Sequence, residues 1–93
     1  MRILFATDGQ NHSETALHFA GNLFSASGAE CIVIHVHPSE SNETIEDAKK
    51  HLVTAGRILT GYSLRPALKL IMGDIIPNII AEAQKGVYDI LVL

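Results

Sequence analysis

The run Cys31-Ile32-Val33-Ile34-His35-Val36 constrains the fold most. It is rich in β-branched residues and nearly unbroken in apolar character. A strand with one wet face alternates apolar and polar residues. A strand covered on both faces does not, and that is the habit of parallel sheets. Parallel neighbours cannot be joined by a tight hairpin, so helices must carry the chain back between strands. The rest of the sequence fits this demand. Residues 3–6 form a short apolar run before the turn-like Thr7-Asp8-Gly9-Gln10. Ala16, Leu17, Ala20, Leu23 and Phe24 then recur at helical spacing, and Gly28 suits the left-handed position after a helix. Asn11 stands three residues before Glu14 in capping-box spacing, with Ser13 as a rival cap.

Past the polar loop Pro38-Ser39-Glu40-Ser41-Asn42, a second helix places Ile45, Ala48, Leu52, Ala55 and Leu59 on one face and is expected to run to about Thr60, stopping at Gly61. Gly56 inside it costs up to about 1 kcal/mol relative to alanine. Residues 65–71 read as a third strand. Asp74 is a fitting N-cap for a third helix, Pro77 is harmless in its first turn, and Gly86 closes it. Ile76, Ile79, Ile80 and Ala83 are the expected inward face, and residues 88–93 the fourth strand. The expectation is an α/β fold of order β-α-β-α-β-α-β: an open parallel sheet in three layers, with right-handed crossovers placing helices on the sheet faces.

Composition narrows the function. The chain has 93 residues, 47% of them hydrophobic and 18% charged, which suits one small domain with a core and argues against disorder. A net charge of −3 without a basic run argues against nucleic acid or a polybasic membrane patch. No apolar stretch reaches the roughly 20 residues of a membrane span, and no signal peptide is legible. Cys31 is alone, so no internal disulfide is expected, and its place in a strand reads as a small core residue. Together these features favour the cytoplasm.

In open parallel sheets, ligands bind outside the strand carboxyl ends, where strand order reverses. Thr7-Asp8-Gly9 occupies such an end. A carboxylate there can accept a ribose hydroxyl, and the helix that follows offers free N–H groups to an anion. The plainer reading is that Asp8 caps its own turn. His35 and His37 share a strand face, but two imidazoles are too few to argue for a metal, and none is expected. His12, His18 and His51 are read as solvated on helix surfaces. Glu43, Glu46 and Asp47 are read as a solvated first turn that suits the helix dipole.

Several segments resemble the universal stress protein family in order along the chain. Ile3-Leu4-Phe5-Ala6-Thr7-Asp8-Gly9 with Ser13-Glu14-Thr15-Ala16-Leu17 is similar to its opening, and Val33-Ile34-His35-Val36-His37-Pro38 to its second strand. Gly73-Asp74-Ile75-Ile76-Pro77-Asn78-Ile79-Ile80 is similar to its G-x-P-x-x-x-I turn and helix, with one extra residue before the proline. Tyr88-Asp89-Ile90-Leu91-Val92-Leu93 matches its fourth strand. Gln10 departs from the family, where serine is frequent.

The resemblance implies a sheet of order 3-2-1-4-5 and binding of ATP or a related adenine nucleotide by a non-catalytic stress sensor, with at most slow incidental hydrolysis. It places Asp8 on the nucleotide sugar with Ala6 and Thr7 beside it, and a backbone group at Val36 on the adenine. The family's phosphate signature, G-x-x-G-x9-G-(S/T), follows the fourth strand, and nothing in these residues matches it. Residues 1–93 are therefore expected to be a single domain, C-terminally incomplete, lacking the fifth strand that commonly forms the dimer interface. On that reading ATP is a ligand of the complete protein and binds these residues weakly or not at all.

The fourth strand at the sheet edge is expected to seek a homodimer or higher homo-oligomer. Two other readings stand beside this one. The first is a nucleotide-independent module for dimerisation or partner binding. The second is an adenylyl-transferring enzyme, for which Thr7-Asp8-Gly9-Gln10-Asn11-His12 is a poor match.

Overall fold

A computed structural model of the chain describes residues 1–7, 11–38 and 42–93, with the backbone alone for residues 11–13. The elements are β1 (Arg2–Thr7), α1 (Asn11–Phe24), β2 (Glu30–His37), α2 (Ile45–Gly61), β3 (Arg65–Met72), α3 (Ile75–Ala83) and β4 (Ile90–Val92). The strands form one sheet of order β3-β2-β1-β4. Every pairing is parallel, in registers that run from Arg2↔Glu30, Ile3↔Ile90 and Glu30↔Arg65. The expected α/β architecture with order 3-2-1-4 is what the chain adopts. From β1 the first two crossovers step one way and the third steps the other way. Right-handed connections therefore put α1 and α2 on one face and α3 on the opposite face.

The main core lies between the sheet and the two-helix face. Ile3, Phe5, Cys31 and Val33 meet Leu17 and Ala20 of α1 and Leu52, Ala55 and Leu59 of α2. On the other face Leu4, Ile34 and Val36 are buried, with α3 packed over β2. Odd positions of β2 thus face one helical layer and even positions the other, which explains its unbroken apolar run. Cys31 is fully enclosed, and burial pushes its thiol up to about 11 against a smaller opposing effect of a hydrogen bond with the Arg65 backbone. It is a core side chain and not a nucleophile.

Several expectations shift in detail. Asn11 and Ser13 lie inside α1, so neither is its N-cap. Leu23 is exposed, because the inward stripe of α1 runs through Leu17, Ala20 and Gly21. Gly28 does take the left-handed conformation, at φ 67°. In α2, Ile45 is exposed, and the N-cap is Thr44, whose hydroxyl accepts from the Asp47 N–H at 3.0 Å. Gly61 does not stop that helix; the left-handed residue is Ser63, at φ 64°. Asp74 flanks α3 as expected, but its side chain caps nothing; its carbonyl accepts from the Asn78 side chain at 2.6 Å.

The inward face of α3 is rotated from expectation. Ile76 and Ile80 are exposed, and Glu82 is buried instead. Its carboxylate accepts hydrogen bonds from Lys69 Nζ at 2.8 Å, Lys85 Nζ at 3.0 Å and the Tyr88 hydroxyl at 2.7 Å. A polar knot of four side chains anchors the helix where an isoleucine stripe was expected. β4 is also shorter than residues 88–93. Asp89 lies just before it and clasps β1: its N–H donates to the Arg2 carbonyl, and its carboxylate accepts the Arg2 N–H, both at 2.8 Å.

Gly21 supplies a test of packing against propensity. The space beside its Cα is filled by the Tyr62 ring, whose hydroxyl pairs with His18 Nδ1 at 2.8 Å. Helix propensity alone says that Gly21→Ala stabilises by about 1 kcal/mol. Overpacking against an aromatic ring costs about 1–3 kcal/mol, so the expected net result is a lower thermal midpoint, read by circular dichroism.

Candidate functional site

The strand carboxyl ends converge at one rim of the sheet. β1 and β4 are the neighbours whose crossovers leave in opposite directions, and their rim is the switch point of the fold. Ala6 and Thr7 close β1 there, paired with Ile34 and His35 of β2. β2 continues two residues past this register, through Val36 and His37, which pair on their other side with Ile71 and Met72 of β3. Val36 points its side chain into the α3 face and is buried, so its backbone is what it brings to the rim. Ala6, Thr7 and Val36 therefore stand along one rim. Asp8 lies outside the described residues.

Beneath this rim, on the α2 face, is a polar cluster that the sequence reading separated. His35 is almost fully buried. Its Nδ1 lies 2.8 Å from the Thr7 carbonyl, and its Nε2 lies 2.7 Å from Glu43 Oε1. His37 Nδ1 approaches the same oxygen at 3.3 Å. His51 Nδ1 lies 2.8 Å from Glu43 Oε2 in an ion pair without a hydrogen bond. Burial alone would raise the Glu43 carboxyl. Hydrogen bonds from His35 and His37, with the charges of His35 and His51, outweigh it and hold the carboxyl below its ordinary range.

Glu43 is thus mostly withdrawn from solvent, and His51 keeps about a third of its side chain exposed. A signal for them existed in the sequence. A crossover helix runs antiparallel to the strand it follows, so its first turns lie beside that strand's carboxyl end. His51 sits three residues after Ala48 and four before Ala55, on the flank of the buried stripe. His18, by contrast, is on the outer side of α1 against Tyr62.

An open parallel sheet with helices on both faces and a strand-order switch point defines the doubly wound α/β class. Within it, the sequence profile of the universal stress protein family matches residues 1–93. The chain belongs to that family. No curated protein matches the sequence. Among solved structures, a universal stress protein from Archaeoglobus fulgidus is 26% identical, with a TM-score of 0.79 over 99% of this chain and 74% of its own. The Archaeoglobus fulgidus protein in complex with dAMP is 26% identical, with a TM-score of 0.69 over 91% of this chain and 72% of its own. A universal stress protein in complex with cAMP is 18% identical and shares the fold, with a TM-score of 0.79 over 100% of this chain and 75% of its own. No described helix is long and apolar enough to cross a membrane.

Proposed function

We propose that this chain binds an adenine nucleotide at the rim of β1 and β2 and acts as a non-catalytic stress sensor. The observation that carries this reading is the dAMP complex of the Archaeoglobus fulgidus relative, at 26% identity. The cAMP complex of a second member of the same fold supports it. In this reading the Val36 backbone takes the base, Asp8 takes the sugar, and Ala6 and Thr7 form the floor beside it.

AMP is then expected to bind at this rim. Titration followed by amide NMR reads this directly, with shifts centred on Ala6, Thr7 and Val36 that are lost in Asp8→Ala. Equal shifts with guanosine, or shifts confined to other residues, would remove the assignment.

One observation favours the interaction-module reading as an additional role. Phe19 is 74% exposed and Leu23 66% exposed on α1, next to the edge strand β4 with Ile90 and Val92. Sedimentation velocity distinguishes the roles: a self-associating module gives a dimer without nucleotide, and Phe19→Ser returns it to monomer.

A further inference from the structure

We propose that His35, Glu43 and His51 bind one borderline divalent cation, of which Zn²⁺ is the representative. The inference is independent of the nucleotide reading. It begins with the Thr7 carbonyl. A carbonyl only accepts, so the 2.8 Å contact from His35 Nδ1 requires the proton on Nδ1. In the neutral ring Nε2 then presents its lone pair, and it points at Glu43 Oε1 from 2.7 Å. Two lone pairs at that distance need a positive charge between them, either a proton or a metal ion.

A proton would satisfy His35 and one carboxylate oxygen, and would leave His51 with an ion pair to Glu43 but no hydrogen bond. The His51 Nδ1 atom is buried, has no hydrogen-bond partner, and stands 2.8 Å from the other carboxylate oxygen. One cation held by all three side chains accounts for both approaches. The three donor atoms already lie within 4.8 Å of one another. Zinc accepts two imidazoles and a carboxylate at about 2.0–2.2 Å, which separates ligand atoms in a tetrahedron by about 3.3 Å. The two spacings from imidazole to carboxylate must open by roughly half an ångström. Glu43 precedes the N-cap Thr44, outside the helical ladder of α2, and rotation of its side chain provides this.

The supporting features are also present. The Thr7 carbonyl fixes the ring orientation and tautomer of His35, as outer partners of metal-bound imidazoles commonly do. His37 Nδ1, 3.3 Å from Glu43 Oε1, is next in line for a fourth position, with solvent as the alternative. Mixed nitrogen and oxygen donors select a borderline ion over Mg²⁺ or Ca²⁺, which take all-oxygen sites. An ion here joins the ends of β1 and β2 to the start of α2.

The test uses the full chain, stripped with a chelator and free of nucleotide. Calorimetric titration with Zn²⁺ is expected to show one ion per chain. Co²⁺ is expected to give the intense visible bands of a four-coordinate centre. His51→Ala and Glu43→Gln should each weaken Zn²⁺ binding by at least about tenfold, while His18→Ala leaves it unchanged. His51 is about one-third exposed, so its variant should fold, and far-UV circular dichroism verifies that. A stoichiometry well below one, Mg²⁺ binding as tight as Zn²⁺, an octahedral Co²⁺ spectrum, or unchanged affinity in His51→Ala would each overturn the proposal.

Discussion

Replacing Phe5 by alanine is expected to remove about 3–5 kcal/mol of stability, the largest loss from any single truncation proposed for this chain. Phe5 lies in β1, in the middle of the sheet, between Val33 of β2 and Val92 of β4. Its ring is 1% exposed and belongs to the core beneath α1 and α2. The truncation loses the transfer free energy of the ring and leaves a cavity roofed by two helices. Those helices are fixed by their other contacts and cannot collapse into it. A domain of this size has a total stability of about 5–15 kcal/mol and tends toward the lower end. The variant should therefore unfold at a much lower urea midpoint, with an unchanged slope. Phe19→Ala on the outside of α1 is the control, with an expected change within about 0.5 kcal/mol. Similar losses for the two variants would contradict the assignment of the core.

The contrast between these phenylalanines marks what was legible in the sequence. The β2 run announced a strand covered on both faces, and helical spacing announced α1 and α2. Those two facts leave few arrangements other than a parallel sheet with crossovers. Ala6, Thr7 and Val36 came from the family resemblance, which sets them at the strand carboxyl ends where such sheets bind ligands. The contacts of Glu43 and His51 were not visible in spacing along one element. They depend on two elements running antiparallel, which brings residues eight and sixteen positions after His35 back beside its ring. The face of α3 was hidden for the same reason. Burying Glu82 rather than Ile80 makes sense only when β3 supplies Lys69 and the chain beyond the helix supplies Lys85 and Tyr88.

That polar knot gives the second large expectation, an acid-sensitive contribution to stability from Glu82. Burial alone would raise its carboxyl. The hydrogen bonds from Lys69, Tyr88 and Lys85 reverse this and pull it down to about 2. A carboxyl depressed by folding adds stability above its unfolded pKa, near 4.5, and loses that stability as pH falls through about 2. Tyr88 acts at the other limit. Burial, followed by its hydrogen bond to Glu82, pushes the phenol up to about 12. Its contribution is complete below its ordinary value of 10 and disappears as pH rises through about 12. The knot is therefore at full strength across neutral pH.

Both lysines are about half exposed, so water screens their part. Glu82→Gln is expected to cost about 1–2 kcal/mol at pH 7, the scale of hydrogen bonds to a charged group after that screening. The difference from the parent chain should shrink steadily between pH 4.5 and 2 and vanish below it. Glu82→Leu separates the value of the charge from the cost of an empty place: it fills the site with apolar volume and leaves two lysines free to reach water. Its loss should be smaller than that of Glu82→Gln at pH 7, because a well-packed apolar replacement escapes the penalty of a half-satisfied buried polar group. Urea denaturation of the three proteins from pH 2 to 8 tests this. A Glu82→Gln deficit that stays constant through the acid range would show that its carboxyl is not held ionised by folding.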